Sequence, residues 1–231
     1  MFADRAEAGV LLADKLGEYR AAADAADAAG GADVAGAAAE RVPLLPPLVL
    51  GIPRGGVVVA AEVACALGLP LDVAVAAKVG APGNEEYAVG AVAADGVVNA
   101  SPVGGYSAEE VALMAGPARQ KVAHELAAFR PNLLPIALSG RTVILVDDGL
   151  ATGLTALAAV DWLRRQGAGR VVVAVPVASE SAARDLAAAA DELVVLETPP
   201  GFSAVGEFYG RFGPTGDDEV LALLDEARTI S

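Results

Sequence analysis

Three short runs, "TVILV" (142–146), "RVVVAVPVA" (170–178) and "ELVVLETP" (192–199), are apolar at almost every interior position, and helix-like segments separate them. A strand with one wet face alternates apolar and polar residues. Uniformly apolar strands need cover on both faces, which a parallel sheet between helical layers provides. "LVLGI" (48–52) and "LDVAVAAKV" (71–79) read as further strands, and "YAVGAVAADGVVNA" as a hairpin turning at Asp95-Gly96. Helices are expected from residue 4 to about 29 with Asp4 as N-cap, from the "PRGG" turn through Leu67, and over 107–130 with an interruption at Gly116-Pro117. Others are expected from Gly153 to Gln166, from Ser179 to about Ala189, and from Asp217 to about Arg228. The fold class is α/β: a central, mainly parallel sheet with helices on both faces. In such sheets ligands bind in crevices at the carboxyl ends of the strands.

Composition narrows the functions open to this fold. The 231 residues are 55% hydrophobic and only 20% charged, a compact globular makeup. Lys plus Arg is 16 against 30 Asp plus Glu, a net charge of −14, so the basic footprint of a nucleic-acid binder is missing. The first residues, "MFADRAEAGVLL", carry charges where a secretory leader needs an apolar run, and no long uncharged apolar stretch suggests a membrane span. A cytoplasmic protein is expected. Cys65 is the only cysteine and reads as a buried small hydrophobe rather than a nucleophile. The alanine-rich "AAADAADAAGGADVAGAAAE" after residue 20 reads as a low-complexity spacer.

The chemistry concentrates where "VILV" ends in Asp147 and Asp148 and runs into Gly149, Leu150, Ala151, Thr152, Gly153, Leu154 and Thr155. A glycine-containing loop between a strand and a helix aims backbone N–H groups and the positive helix end at one point, and Thr152 and Thr155 add hydroxyl donors. The spacing is neither a Walker loop nor G-x-G-x-x-G. "GIPRGG" (51–56) is a second such place: Arg54 brings a planar donor fork suited to phosphate, and Gly55 and Gly56 leave room beside the backbone. Carboxylates repel phosphate, so Asp147 and Asp148 need another task. They can accept hydrogen bonds from a vicinal diol or help position a hydrated Mg²⁺. A ligand with a phosphate, a sugar diol and a metal-bound pyrophosphate uses all three features, as 5-phosphoribosyl 1-pyrophosphate does. Lys78, at the end of an expected strand, could reach the pyrophosphate or be an ordinary strand-end lysine. His124, the sole histidine, reads as part of an exposed helix face.

"VILVDDGLATGLT" resembles the ribose-5-phosphate motif of type I phosphoribosyltransferases, closest to the adenine-specific branch, and "GIPRGG" resembles the pyrophosphate loop of the xanthine-guanine branch. "FADRAEAGVLLADKL", "KVGAPGNEEYAVGAV" and "FSAVGEFYGRFG…DDEV" resemble a bacterial group of phosphoribosyltransferases of unassigned acceptor. The resemblance covers nearly the whole chain except residues 20–46 and about 101–135. It implies one domain over 1–231, divided into an N-terminal helix and spacer (1–47), a core (48–198), and a hood with a C-terminal helix (199–231).

It further implies a Mg²⁺-dependent transferase acting on 5-phosphoribosyl 1-pyrophosphate, with a small, nitrogenous acceptor and no nucleic acid or membrane partner. Asp147 and Asp148 would meet the ribose hydroxyls and the water shell of the metal. Gly149 to Thr155 would hold the 5′-phosphate, and Arg54, Gly55 and Gly56 the pyrophosphate. Phe202 or Tyr209 of the hood would stack on the acceptor or pack the hood to the sheet. A mobile loop is expected within 82–106, with Gly83, Gly104 and Gly105 as hinges, and a homodimer is expected from the resemblance alone. Some relatives carry an acid inside the phosphate loop, where this chain has Ala151, so a base would come from elsewhere, with Glu85 and Glu86 the nearest candidates. Ala151 also keeps open a non-catalytic sensor of the same ligand. A phosphohydrolase using Asp147 as nucleophile would need a D-x-D spacing that is not here.

Overall fold

A computed structural model describes residues 1–20, 45–101, 105–131 and 136–230, without the side chains of 85, 86 and 230. The spacer and the hinge candidate Gly104 therefore lie outside the described residues. The first helix, α1 (Arg5–Lys15), starts as expected at Asp4, whose side chain accepts the Glu7 N–H at 3.0 Å. It does not run on to 29 in one piece. Leu16 caps it at φ −98°, Gly17 follows with its poor helix propensity, and residues 18–20 are helical again.

β1 (Leu48–Gly51) leads through α2 (Gly55–Leu67) to β2 (Leu71–Val73), which pairs parallel to it. The chain later returns with β6 (Thr142–Val146) on the other side of β1, then adds β7 (Arg170–Val177) and β8 (Glu192–Glu197) outward. All these pairings are parallel, in the order β2-β1-β6-β7-β8. Between the neighbours β1 and β6 the winding reverses. The loops leaving their carboxyl ends diverge there and open a crevice.

The expected strand over 71–79 is in fact two. β1 is four residues long, and the Ala74 N–H to Gly51 carbonyl bond is the last that β2 can make along it. The chain then leaves the sheet as β3 (Ala76–Ala81) and builds a separate antiparallel sheet with β4 (Asn84–Ala93) and β5 (Val98–Ala100). The turn at Asp95-Gly96 is present, with Gly96 at φ +77°. The expected mobile loop thus falls largely on strands, bracketed by Gly83 (φ +75°) and Gly105 (φ +74°).

Side-chain alternation along the parallel strands feeds two cores. Val49, Ile144, Val146 and Val172 point to one face, under α1, α2 and the C-terminal helix α7 (Asp217–Ile230). Leu50, Val143, Leu145 and Val173 point to the other, which is covered by α5 (Leu154–Arg165). Helices α3 (Ala108–Met114) and α4 (Gly116–Phe129) divide at Gly116-Pro117 as expected and pack on the antiparallel sheet, and α6 (Glu180–Ala189) joins β7 to β8. Cys65 corrects the sequence expectation: α2 buries Gly56, Val57, Ala60, Val63, Ala64 and Leu67, and Cys65 falls on its exposed face. No described helix is long and apolar enough to cross a membrane.

α1 lies close against α2 because Gly9 has no side chain. A Cβ there would sit 2.6 Å from the Glu62 Cβ and 2.7 Å from the Val59 carbonyl oxygen. Gly9→Ala should force the helices apart and lower stability by about 1–3 kcal/mol despite alanine's better helix propensity. Urea unfolding should give a lower midpoint at an unchanged slope, and an unchanged midpoint would mean the helices separate freely.

Candidate active site

β6 ends at Val146, so Asp147 and Asp148 emerge at its carboxyl end, directly across from the loop that follows β1. The two loops touch. A Cβ on Gly55 would lie 2.0 Å from Asp148 Oδ2, and one on Gly56 would lie 2.9 Å from the Asp147 Cα. Glycine at 55 and 56 is therefore required by the acid pair itself, in addition to any ligand. The Pro53–Arg54 peptide bond is cis.

The acids are fixed from several sides. Asp147 Oδ1 accepts the Asp148 N–H at 2.8 Å, and Asp148 Oδ2 accepts from Arg5 Nε at 2.7 Å. Arg5 opens α1, and its Nη1 also donates to the Gly213 carbonyl at 2.8 Å while its guanidinium carbon lies 3.9 Å from the centre of the Phe212 ring. The Arg5 and Asp148 side chains are 12% and 16% exposed. Burial, reinforced by the charge of Asp148, pushes the Asp147 carboxyl well above its ordinary range. Burial also raises Asp148, and Arg5 opposes it.

The loop after the acids is stitched to the end of β7. Leu150 donates to the Val177 carbonyl and accepts from the Ser179 N–H, both at 2.9 Å, and Ser179 Oγ donates to the Ala151 carbonyl at 2.7 Å. Gly153, at φ +71°, turns the chain into α5. Ala151 and Thr152 are exposed and Thr155 is half-buried at the start of that helix, so the turn offers backbone N–H groups and a hydroxyl at an open helix end. Gly149 lies under the hood: a Cβ there would come within 2.6 Å of Val205 Cγ1.

Other expected site residues are placed differently. Tyr209 is buried, tilted against Phe2 and stacked on Phe212, and its hydroxyl donates to the Asp148 carbonyl at 2.5 Å. Burial first, then the charge of Asp148, pushes its phenol far up, so it remains a donor. Phe202 stacks on Phe208 with centroids 5.3 Å apart and keeps part of its surface exposed. Arg54 is exposed at the mouth of the β1 loop, 3.5 Å from Asp217 at the start of α7. Lys78 lies mid-strand opposite Ala91 in the antiparallel sheet, so the strand-end argument for it fails. Glu85 and Glu86 lie on β4, and their side chains fall outside the described residues. His124 is exposed on α4. Arg5, Asp217, Phe212 and Gly213 are not found from the sequence. The available signal is Arg5 itself, a cation in the first turn of a helix, where the dipole disfavours it.

A family model described as the phosphoribosyl transferase domain matches residues 27–202. Over 231 residues the chain is 41% identical to a protein of Mycobacterium tuberculosis (strain H37Rv) whose name makes it a candidate phosphoribosyl transferase, covering 98% of this chain. The chain spans 47% of that relative's length. A 67-residue stretch is 42% identical to the ribose-phosphate pyrophosphokinase of Pyrococcus furiosus, over 28% of this chain and 24% of that one. The crystal structure of a Thermus thermophilus protein is 42% identical, covers 98% of both chains, and superposes with a TM-score of 0.73. With its crevice between β1 and β6 and a family match over most of its length, the chain belongs to the phosphoribosyl transferase domain family.

Proposed function

We propose that this chain is a phosphoribosyltransferase: it binds 5-phosphoribosyl 1-pyrophosphate and exchanges pyrophosphate for a nitrogenous acceptor at the anomeric carbon. The observation that carries this reading is the meeting of two glycine-containing turns and one acid pair at the β1–β6 crevice, with Gly55 packed against Asp148. In the transfer, the bond from C1 to the pyrophosphate oxygen breaks and a bond from C1 to the acceptor nitrogen forms. The N–H groups of Gly149 to Thr155, with the Thr152 and Thr155 hydroxyls, hold the 5′-phosphate. Asp147 and Asp148 accept the ribose hydroxyls. Arg54 leaves its half-exposed contact with Asp217 and takes the pyrophosphate, spreading the charge that develops as the bond breaks.

The acid pair suits Mg²⁺. Asp147 Oδ2 and Asp148 Oδ1 have no partner among the described residues, and no three such side chains converge there into a closed cage. Each of these oxygens has a second lone pair beyond one sugar hydroxyl, so the pair would also meet a hydrated Mg²⁺ through its water shell. When bound, Mg²⁺ would offset charge on the departing pyrophosphate. Phe202, partly exposed in the hood, is the candidate platform for a planar acceptor; Tyr209, being buried, supports the acids instead. Glu85 and Glu86 remain the candidate bases. A homodimer in the cytoplasm completes the proposal.

A second reading, a sensor that binds the same ligand without turnover, is favoured by Ala151, whose methyl cannot move a proton. Binding without pyrophosphate release across a panel of nitrogenous acceptors would select it.

Calorimetric titration with 5-phosphoribosyl 1-pyrophosphate should give Mg²⁺-dependent binding, weakened at least about a hundredfold in the Asp147→Asn/Asp148→Asn double variant, since each hydrogen bond to a charged acceptor contributes about 1.5–3 kcal/mol. Unchanged affinity in the folded double variant would remove the site. Arg54→Ala should lower affinity for the same ligand about tenfold or more while leaving ribose 5-phosphate within about twofold, because only the former has a pyrophosphate to pair. Equal losses for both ligands would dissociate Arg54 from the pyrophosphate.

A further inference from the structure

The contacts of the acid pair leave two carboxylate oxygens with no described partner, one set by the neighbouring backbone and the other by Arg5, distant in sequence. Asp147 spends Oδ1 on the Asp148 N–H. Asp148 spends Oδ2 on Arg5 Nε and is backed by Tyr209, whose hydroxyl holds its carbonyl. What remains is Asp147 Oδ2 and Asp148 Oδ1, one acceptor on each of two successive residues, which is the donor-to-acceptor match of a vicinal diol.

Arg5 is held too firmly to be a passing surface partner. Its Nη1 is tied to the Gly213 carbonyl, its planar face covers Phe212, and a Cβ on Gly55 would lie 2.8 Å from its Nε. The segment that carries it is sewn to the hood on both sides. Phe2 N–H donates to the Phe208 carbonyl, Gly210 N–H to the Phe2 carbonyl and Arg211 N–H to the Ala3 carbonyl, each at 2.8 Å, and Arg211 also pairs with Asp4. A guanidinium so constrained fixes the rotamer of the carboxylate it meets. It makes no described contact with the loop that follows Gly149.

We propose that Arg5 is a positioning residue for ribose recognition: by holding Asp148 Oδ2 it presents Asp148 Oδ1, beside Asp147 Oδ2, to the two sugar hydroxyls. The N-terminal helix thereby sets selectivity for ribose over deoxyribose, while the 5′-phosphate is bound independently of it. The inference rests on the reading of Asp147 and Asp148 as the ribose-binding pair.

The test compares wild type, Arg5→Lys and Arg5→Ala in calorimetric titrations with ribose 5-phosphate, 2-deoxyribose 5-phosphate and inorganic phosphate, with folding checked by circular dichroism. Wild type should prefer ribose 5-phosphate over its deoxy analogue by about tenfold or more, the effect of one hydroxyl bonded to a charged acceptor. In both variants that ratio should fall to about one, with affinity for inorganic phosphate within about twofold of wild type, because the phosphate turn is untouched. A merely structural role would weaken all three ligands together and keep the ratio; that result overturns the role of Arg5 and leaves the acid pair standing. If wild type binds ribose 5-phosphate without discrimination, or fails to bind it, the ribose-binding reading falls and this inference falls with it. Should removal of the cation leave a buried unpaired carboxylate and prevent Arg5→Ala from folding, Arg5→Lys carries the comparison, since it keeps the charge and loses the planar fork.

Discussion

The parallel pairing of β1 with β6 is the constraint on which the rest depends. Leu48 to Gly51 run in register with Val143 to Val146, so the chain leaves both strands at the same height and in the same direction. One exit carries glycines and an arginine, the other two acids and a glycine-containing turn at the start of a helix. Neither loop is a site alone. The close approach of Gly55 and Gly56 to Asp147 and Asp148 turns two turns into one crevice, and any side chain at 55 would collide with a carboxylate. The apolar alternation that buries β6 on both faces therefore also aims the chemistry.

The net charge sets an electrostatic problem for the ligand proposed here. A chain with a net charge of −14 offers a polyanionic ligand no attractive long-range field. Capture has to be local, by backbone N–H groups that bring no counter-charge, by a helix end and by a few cations. Several cations are already engaged in pairs: Arg54 with Asp217, Arg164 with Asp191, Arg165 with Asp95 and Arg170 with Glu192. The Arg54 pair is half-exposed on both sides and solvent-screened, so opening it costs little, whereas the Arg5–Asp148 pair is largely withdrawn from water. One contact suits exchange with a ligand and the other suits a fixed frame.

How legible the chain is depends on the distance over which each feature is decided. β6, β7, β8 and the two turns are written in contiguous residues, and hydrophobic runs ending in Asp-Asp-Gly or in Pro-Arg-Gly-Gly locate them directly. The division of 71–79 into β2 and β3 has no local mark, neither glycine nor proline; it follows from the four-residue length of β1, the partner strand. Lys78 is misplaced by sequence reasoning for the same cause, since a strand moved to a second sheet no longer ends at the crevice. Cys65 is misplaced because an alanine-rich helix has weak contrast between its faces, and small residues hide which side is wet. The partners of Asp148 come from 143 residues upstream and 61 downstream, beyond any spacing argument.

Because Arg5 meets Asp148 across 143 positions and Gly213 across 208, the frame around Asp148 closes only when three segments distant in the sequence have come together. During synthesis the arginine is made first, its carboxylate much later, and the Phe212–Gly213 clasp later still. Contacts of such long loop closure form slowly and late. The turn from Asp147 to Thr155 takes its hydrogen bonds from Val177 and Ser179 nearby, but its framing by Arg5 needs residue 213. The turn is thus a matter of neighbouring residues, while the frame that holds Asp148 from outside depends on segments up to 208 positions apart.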